Sequence, residues 1–170
     1  MTGAPFPGAF AVVRTRGQLS GLIAVGEKLT DGFGQWTHAA VCTSVEPDGT
    51  AWIVEAEPDG ARHVLFHYWD DPYLWSDSFP LTPPQQQAVA EAALSYIGTP
   101  YSFADYFAIA AHKFHIPAPN LREYIADSRH MICSQLADKC YQDAGIQLFN
   151  DGRWNGYVTP GDLGNLIKEG

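Results

Sequence analysis

Apolar positions shift their dominant period along this chain. Before Asp71 they fall mostly in short runs of β-forming residues; after it they recur at helical intervals. "AFAVVRT" (Ala9 to Thr15) predicts a strand. "QLSGLIAVGEKLT" spaces Leu19, Leu22, Ile23 and Leu29 as a helix does, with Gly21 and Gly26 against it. "WTHAAVCTSV" and "TAWIVEAE" flank "EPDG" and predict a hairpin, and "ARHVLFHYW" predicts a third strand. Beyond Asp71, "TPPQQQAVAEAALSYIG" opens on Thr82, Pro83 and Gln85, a capping box with proline at the first helical position, and closes on Gly98. "SFADYFAIAAHKFHI" starts in the same way from Ser102. Further helices are predicted around Leu121 to Asp127, from about Ile132 to Ala144 before Gly145, and after Thr159, Pro160 and Asp162. Strands first and helices afterwards, without βαβ alternation, predict an α+β fold: a small antiparallel sheet packed against helices, as one domain over residues 1–170.

Composition narrows the function classes. The 170 residues carry a formal net charge of −9, the opposite of a phosphate-tracking surface, so no nucleic-acid partner is expected. No apolar stretch reaches the ~20 residues of a membrane span. "MTGAPFPGAF" lacks a basic start and an apolar core, so no signal peptide is expected and the chain is read as cytoplasmic at synthesis. No glycine-rich phosphate loop follows a strand, and no cofactor is expected.

The candidate chemistry centres on "SRHMICSQLADKC" (Ser128 to Cys140). Three cysteines, an odd number, argue against a disulfide framework. On one helix Cys133 and Cys140 lie two turns apart, about 10 Å along the axis, too far for a bond. Cys133 falls at a helix start, where free N–H groups and the helix dipole favour a thiolate. Leu136, Ala137 and Cys140 share its face, so the plain alternative is a buried core cysteine. A cysteine nucleophile needs a base and an orienting partner. His38, between Thr37 and two alanines, is the candidate base, with a half-exposed strand histidine as the alternative. Glu55 is the candidate orienter. A four-residue loop from Glu46 to Gly49 sets Ala40 opposite Glu55 and His38 opposite Glu57, with both acids on the face of His38. A three-residue loop turns both acids away. His63 and His67 share a strand too extended for a zinc pair, and no metal site is expected. The five tryptophans, Trp36, Trp52, Trp69, Trp75 and Trp154, read as core and rim.

The ordered pieces "THAAV", "IVEA", "YIGTPYSFADY" and "MICSQLADKCYQDAGI" resemble the circularly permuted papain-like cysteine hydrolases, relatives of the NlpC-type cell-wall peptidases. In that group the histidine strand precedes the cysteine helix. The resemblance runs from Gly8 to about Gly145. It implies a permuted papain-like fold with Cys133 as nucleophile, His38 as base and Glu55 as the third polar residue. It also implies an aromatic near the site at Tyr101, after "GTP"; Tyr101 and Trp36 are the candidate substrate-binding residues. Gln135 stands where a glutamate is frequent after "CS", and the tail from Phe149 falls outside the motif. The implied activity is cleavage of an amide bond, with peptidoglycan stem peptides as substrate, in a bacterial or phage wall hydrolase that a virion or a holin delivers. Phage structural proteins are the partners such a setting implies. Two alternatives stand beside it: a thiol acyltransferase or lipid-amide hydrolase with an acyl groove in "YFAIAAHKFHI", and a non-catalytic module of a phage tail.

Overall fold

Continuous burial in "FAVV", and alternation further along, set the order of strands in the sheet. The computed structural model describes residues 3–15, 36–77, 79–100, 131–153 and 158–169. Among these, β1 (Phe10–Val13), β2 (His38–Val45), β3 (Ala51–Glu57), β4 (Gly60–Leu65) and β5 (Tyr73–Trp75) form one antiparallel sheet in the order β4-β3-β2-β1-β5. All four residues of β1 are buried, as expected for a strand with neighbours on both edges and cover on both faces. β4 lies at the edge, and its burial alternates from Arg62 onward. Three helices follow: α1 (Pro83–Ser95), α2 (Cys133–Asp143) and α3 (Pro160–Glu169). The α+β layout expected from the sequence is therefore the observed one. β5 was not foreseen: three residues after "DDP" carry too little periodicity, and their pairing with Val13, Val12 and Ala11 is a long-range choice. The helices expected over 18–30, 102–116 and 121–127 lie outside the described residues.

One sheet face, with Phe10, Val12, Ala39, Val41 and Val54, packs with Leu136, Ala137 and Cys140 of α2 and Val89 and Ala93 of α1. The other face, with Ala11, Ala40, Cys42 and Ile53, meets Phe66, Tyr68 and Trp75. The helix starts are those the residue types predict. The Thr82 N–H donates to Gln85 Oε1 at 2.9 Å, and the Asp162 N–H donates to Thr159 Oγ1 at 3.1 Å. In α2 the N-cap is Ile132, whose N–H donates to Gln135 Oε1 at 2.9 Å. Gln135 therefore caps the helix that begins with Cys133, which gives the residue after "CS" a structural duty.

"EPDG" occurs twice, as Glu46–Gly49 and Glu57–Gly60, and turns the chain both times in different ways. At the first turn the Glu46 N–H donates to the Thr50 carbonyl at 2.8 Å, which leaves Pro47 to Gly49 as a three-residue loop with Gly49 at φ 89°. That is the loop expected to turn Glu55 away from the face of His38. It does not, because β2 carries one extra residue between Cys42 and Ser44. The bulge at Thr43 offsets the odd loop and restores Ala40 opposite Glu55. At the second turn Glu57 pairs with Gly60 across two residues, which sets Arg62 directly opposite Glu55.

Trp36 is buried, and its ring lies against Gly164 of α3. A Cβ on Gly164 would fall 2.0 Å from Trp36 Cδ1. Gly164→Ala is expected to lower stability by roughly 1–3 kcal/mol despite alanine's better helix propensity. Urea unfolding measures this, and an unchanged midpoint would mean that the indole has free room to move.

Candidate active site

His38 is the first residue of β2 and Cys133 the first of α2, so the two meet where their elements begin. The Cys133 side chain adjoins the His38 ring closely enough for its charge and hydrogen-bonding capacity to act on it. His38 Nε2 lies 2.8 Å from Glu55 Oε2, which leaves Nδ1 for the sulfur. Cys133 is 1 % exposed, His38 6 % and Glu55 0 %. The three residues singled out from the sequence thus form one buried chain of contacts, sulfur to imidazole to carboxylate.

Glu55 has further partners. Its Oε1 accepts from Arg62 Nε at 3.0 Å and Nη2 at 2.8 Å, and Oε2 also accepts from the Tyr68 hydroxyl at 2.7 Å. Burial alone would raise the Glu55 pKa; the hydrogen bond and charge of His38, followed by Tyr68 and Arg62, outweigh it and hold the carboxyl at about 2. For His38, burial pushes the pKa down, but the charge and hydrogen bond of Cys133, followed by Glu55, carry it well above 6.5. The neighbours of His38 thus favour a protonated imidazole, next to a carboxylate that stays ionised.

Glu57, the other acid expected on this face, is the more distant partner, with Oε1 3.7 Å from His38 Nε2 and 3.4 Å from the Tyr68 hydroxyl. His38, Glu55 and Glu57 place one ligand atom each within 4.8 Å of one another, a spacing compatible with a metal ion. The donor set fits a proton-holding pair better. Both Glu55 oxygens already accept hydrogen bonds, one of them from a guanidinium whose charge opposes a bound cation.

The other two cysteines are buried. Burial pushes the Cys42 thiol up to about 12 and raises Cys140 further; the Cys42 thiol donates to the Ser44 carbonyl at 3.5 Å. Trp36 sits in the same hydrophobic core cluster as Cys133 and not on an open surface. Tyr101 lies outside the described residues, as do His112, His115 and Trp154. His63 and His67 are exposed, and β4 ends at Leu65, so they do not share a strand. His63 pairs instead with Thr43 Oγ1 at 2.9 Å.

Arg62 and Tyr68 escaped the sequence reading. The signal for Arg62 was present: the second "EPDG" is a hairpin turn, and counting back from it brings Arg62 opposite Glu55. Tyr68 had no such signal, because it lies beyond the end of β4 and reaches Glu55 through the path of the chain.

The chain matches none of the known protein-family models, and a search of the curated proteins finds no match. Among the described residues no helix is long and apolar enough to cross a membrane.

Proposed function

We propose that the protein is a cysteine hydrolase of amide bonds, with Cys133 as nucleophile, His38 as general base and acid, and Glu55 as its orienter. What carries the reading is the buried cluster in which His38 Nε2 meets Glu55 at 2.8 Å and the ring adjoins Cys133. In the ground state His38 holds the Cys133 proton. The sulfur attacks the acyl carbonyl and forms a tetrahedral intermediate, whose oxygen is within the reach expected of the Cys133 N–H at the helix start. His38 passes its proton to the leaving amine as the C–N bond breaks. Water, deprotonated by His38, then cleaves the thioester and returns the thiol. Peptidoglycan stem peptides are the substrate proposed from the resemblance.

The burial of Cys133 favours one variation, acyl transfer to an acceptor other than water, because a closed site protects a thioester from hydrolysis. Adding an amine acceptor to the assay and weighing the products separates transfer from hydrolysis.

The reading is tested without a substrate by brief, sub-stoichiometric iodoacetamide treatment and mapping of the labelled cysteine. Cys133 is expected to take the label at least ten-fold faster than Cys42 or Cys140, and His38→Ala is expected to remove that advantage. Equal labelling of the three cysteines in the folded protein would overturn the selective nucleophile. Incubation of purified peptidoglycan with the protein, followed by mass analysis of released fragments, tests the substrate.

A further inference from the structure

We infer that Arg62 and Tyr68 are positioning residues of this site: together they lock the Glu55 carboxylate so that one lone pair of Oε2 remains aimed at His38 Nε2. The inference rests on the proposed roles of Cys133, His38 and Glu55.

The geometry divides the labour between the two carboxylate oxygens. Arg62 takes Oε1 with two donors, Nε at 3.0 Å and Nη2 at 2.8 Å. Two donors from one planar guanidinium fix a carboxylate's orientation more tightly than a point charge can. Tyr68 takes Oε2 at 2.7 Å, the same oxygen that meets His38 at 2.8 Å. A carboxylate oxygen has two principal acceptor directions, so the tyrosine occupies one and leaves the other for the imidazole. Burial, with the charge of Glu55 next, keeps the Tyr68 hydroxyl protonated far into the alkaline range, so it donates at every working pH. The three residues are neighbours by construction: Arg62 on β4 is the cross-strand partner of Glu55 on β3, and Tyr68 follows β4.

Acidic groups surround His38 on several sides. Glu55 and Glu57 face it from β3, Cys133 from α2 and Tyr68 from beyond β4. Arg62 is the cation on the far side of Glu55. Without Arg62 the site gains net negative charge, which favours proton uptake and moves the acid limb of activity to higher pH. Because the Arg62 side chain is 41 % exposed, solvent screens its charge and the shift is modest.

The experiment follows the His38 Nε2 proton by NMR in the intact protein, together with the pH dependence of Cys133 alkylation. In the wild type a downfield, slowly exchanging Nε2 proton is expected, and Glu55→Gln removes it. Arg62→Gln and Tyr68→Phe are each expected to speed its exchange at least ten-fold. Arg62→Gln also moves the acid limb of alkylation up by about half to one pH unit. Arg62→Lys restores the acid limb but not the slow exchange, since lysine returns the charge without the paired donors. It also serves if Arg62→Gln does not fold. Wild-type exchange and an unchanged acid limb in the Arg62 and Tyr68 variants, with the proton still lost in Glu55→Gln, would overturn this inference and leave the proposed function standing. A proton indifferent to Glu55→Gln would overturn the His38–Glu55 pairing, and the proposed function with it.

Discussion

Cys133→Ala and His38→Ala each abolish turnover, with an expected loss in kcat of roughly 10⁴–10⁶, and the double variant is little worse than either single one. The reason is mechanistic unity. On the proposed mechanism the sulfur is the atom that bonds to the acyl group, and the imidazole beside it both forms the thiolate and protonates the leaving amine. Removing either stops the same step, so the second removal has nothing left to take away. Release of fragments from purified peptidoglycan, or turnover of whichever amide the protein cleaves, gives the rate, and a thermal melt reports the fold. Cys133 is a small side chain in the buried core cluster, so Cys133→Ala costs roughly 1 kcal/mol of stability and leaves the melt cooperative. His38→Ala opens a larger gap beside Glu55, whose contacts with Arg62 and Tyr68 remain. Near-normal turnover in a folded Cys133→Ala protein would end the hydrolase reading.

Glu55→Gln is expected to lower kcat/KM by roughly 10²–10³, while Glu57→Gln stays within about three-fold of wild type. Every contact Glu55 makes is one in which it accepts, from His38 and Tyr68 on one oxygen and from Arg62 on the other. An amide has one acceptor oxygen and one donor nitrogen. Whichever way glutamine turns, its NH₂ meets either the guanidinium or the imidazole and phenol, and a buried donor faces a donor. The expected stability loss is about 1–3 kcal/mol. It carries a pH signature. The folded-state carboxyl titrates at about 2 against an ordinary value of 4.5, so its stabilisation is complete above 4.5 and is lost as pH falls through about 2. The gap between wild type and Glu55→Gln in urea unfolding therefore narrows on acidification. Glu57 sits 3.7 Å from His38 Nε2, and its one hydrogen bond among these residues is the long one from the Tyr68 hydroxyl at 3.4 Å. Loss of activity in Glu57→Gln with retention in Glu55→Gln would move the orienting role by two residues.

Local chemistry was legible from residue types alone. Thr82 with Gln85 and Thr159 with Asp162 mark helix starts because a side chain beside a free backbone N–H satisfies it wherever the rest of the chain lies. The spacing of Cys133, Leu136, Ala137 and Cys140 places them on one face, and all four are buried. Residue types made Cys133, His38 and Glu55 candidates, each with a plainer alternative, and the resemblance joined them as a set. Their meeting was beyond the reach of residue types, because it depends on long-range register. The three-residue loop at Pro47–Gly49 would by itself have turned Glu55 from His38, and the extra residue at Thr43 reverses that. No periodicity announces a bulge, since its position depends on how the flanking residues pack against β3. β5, the reach of Tyr68 to Glu55 and the fork of Arg62 were decided in the same way. Residue types limit which hydrogen bonds and faces each segment can offer; cross-strand pairing, gained only when distant segments pack, selects which of those offers face one another in the site.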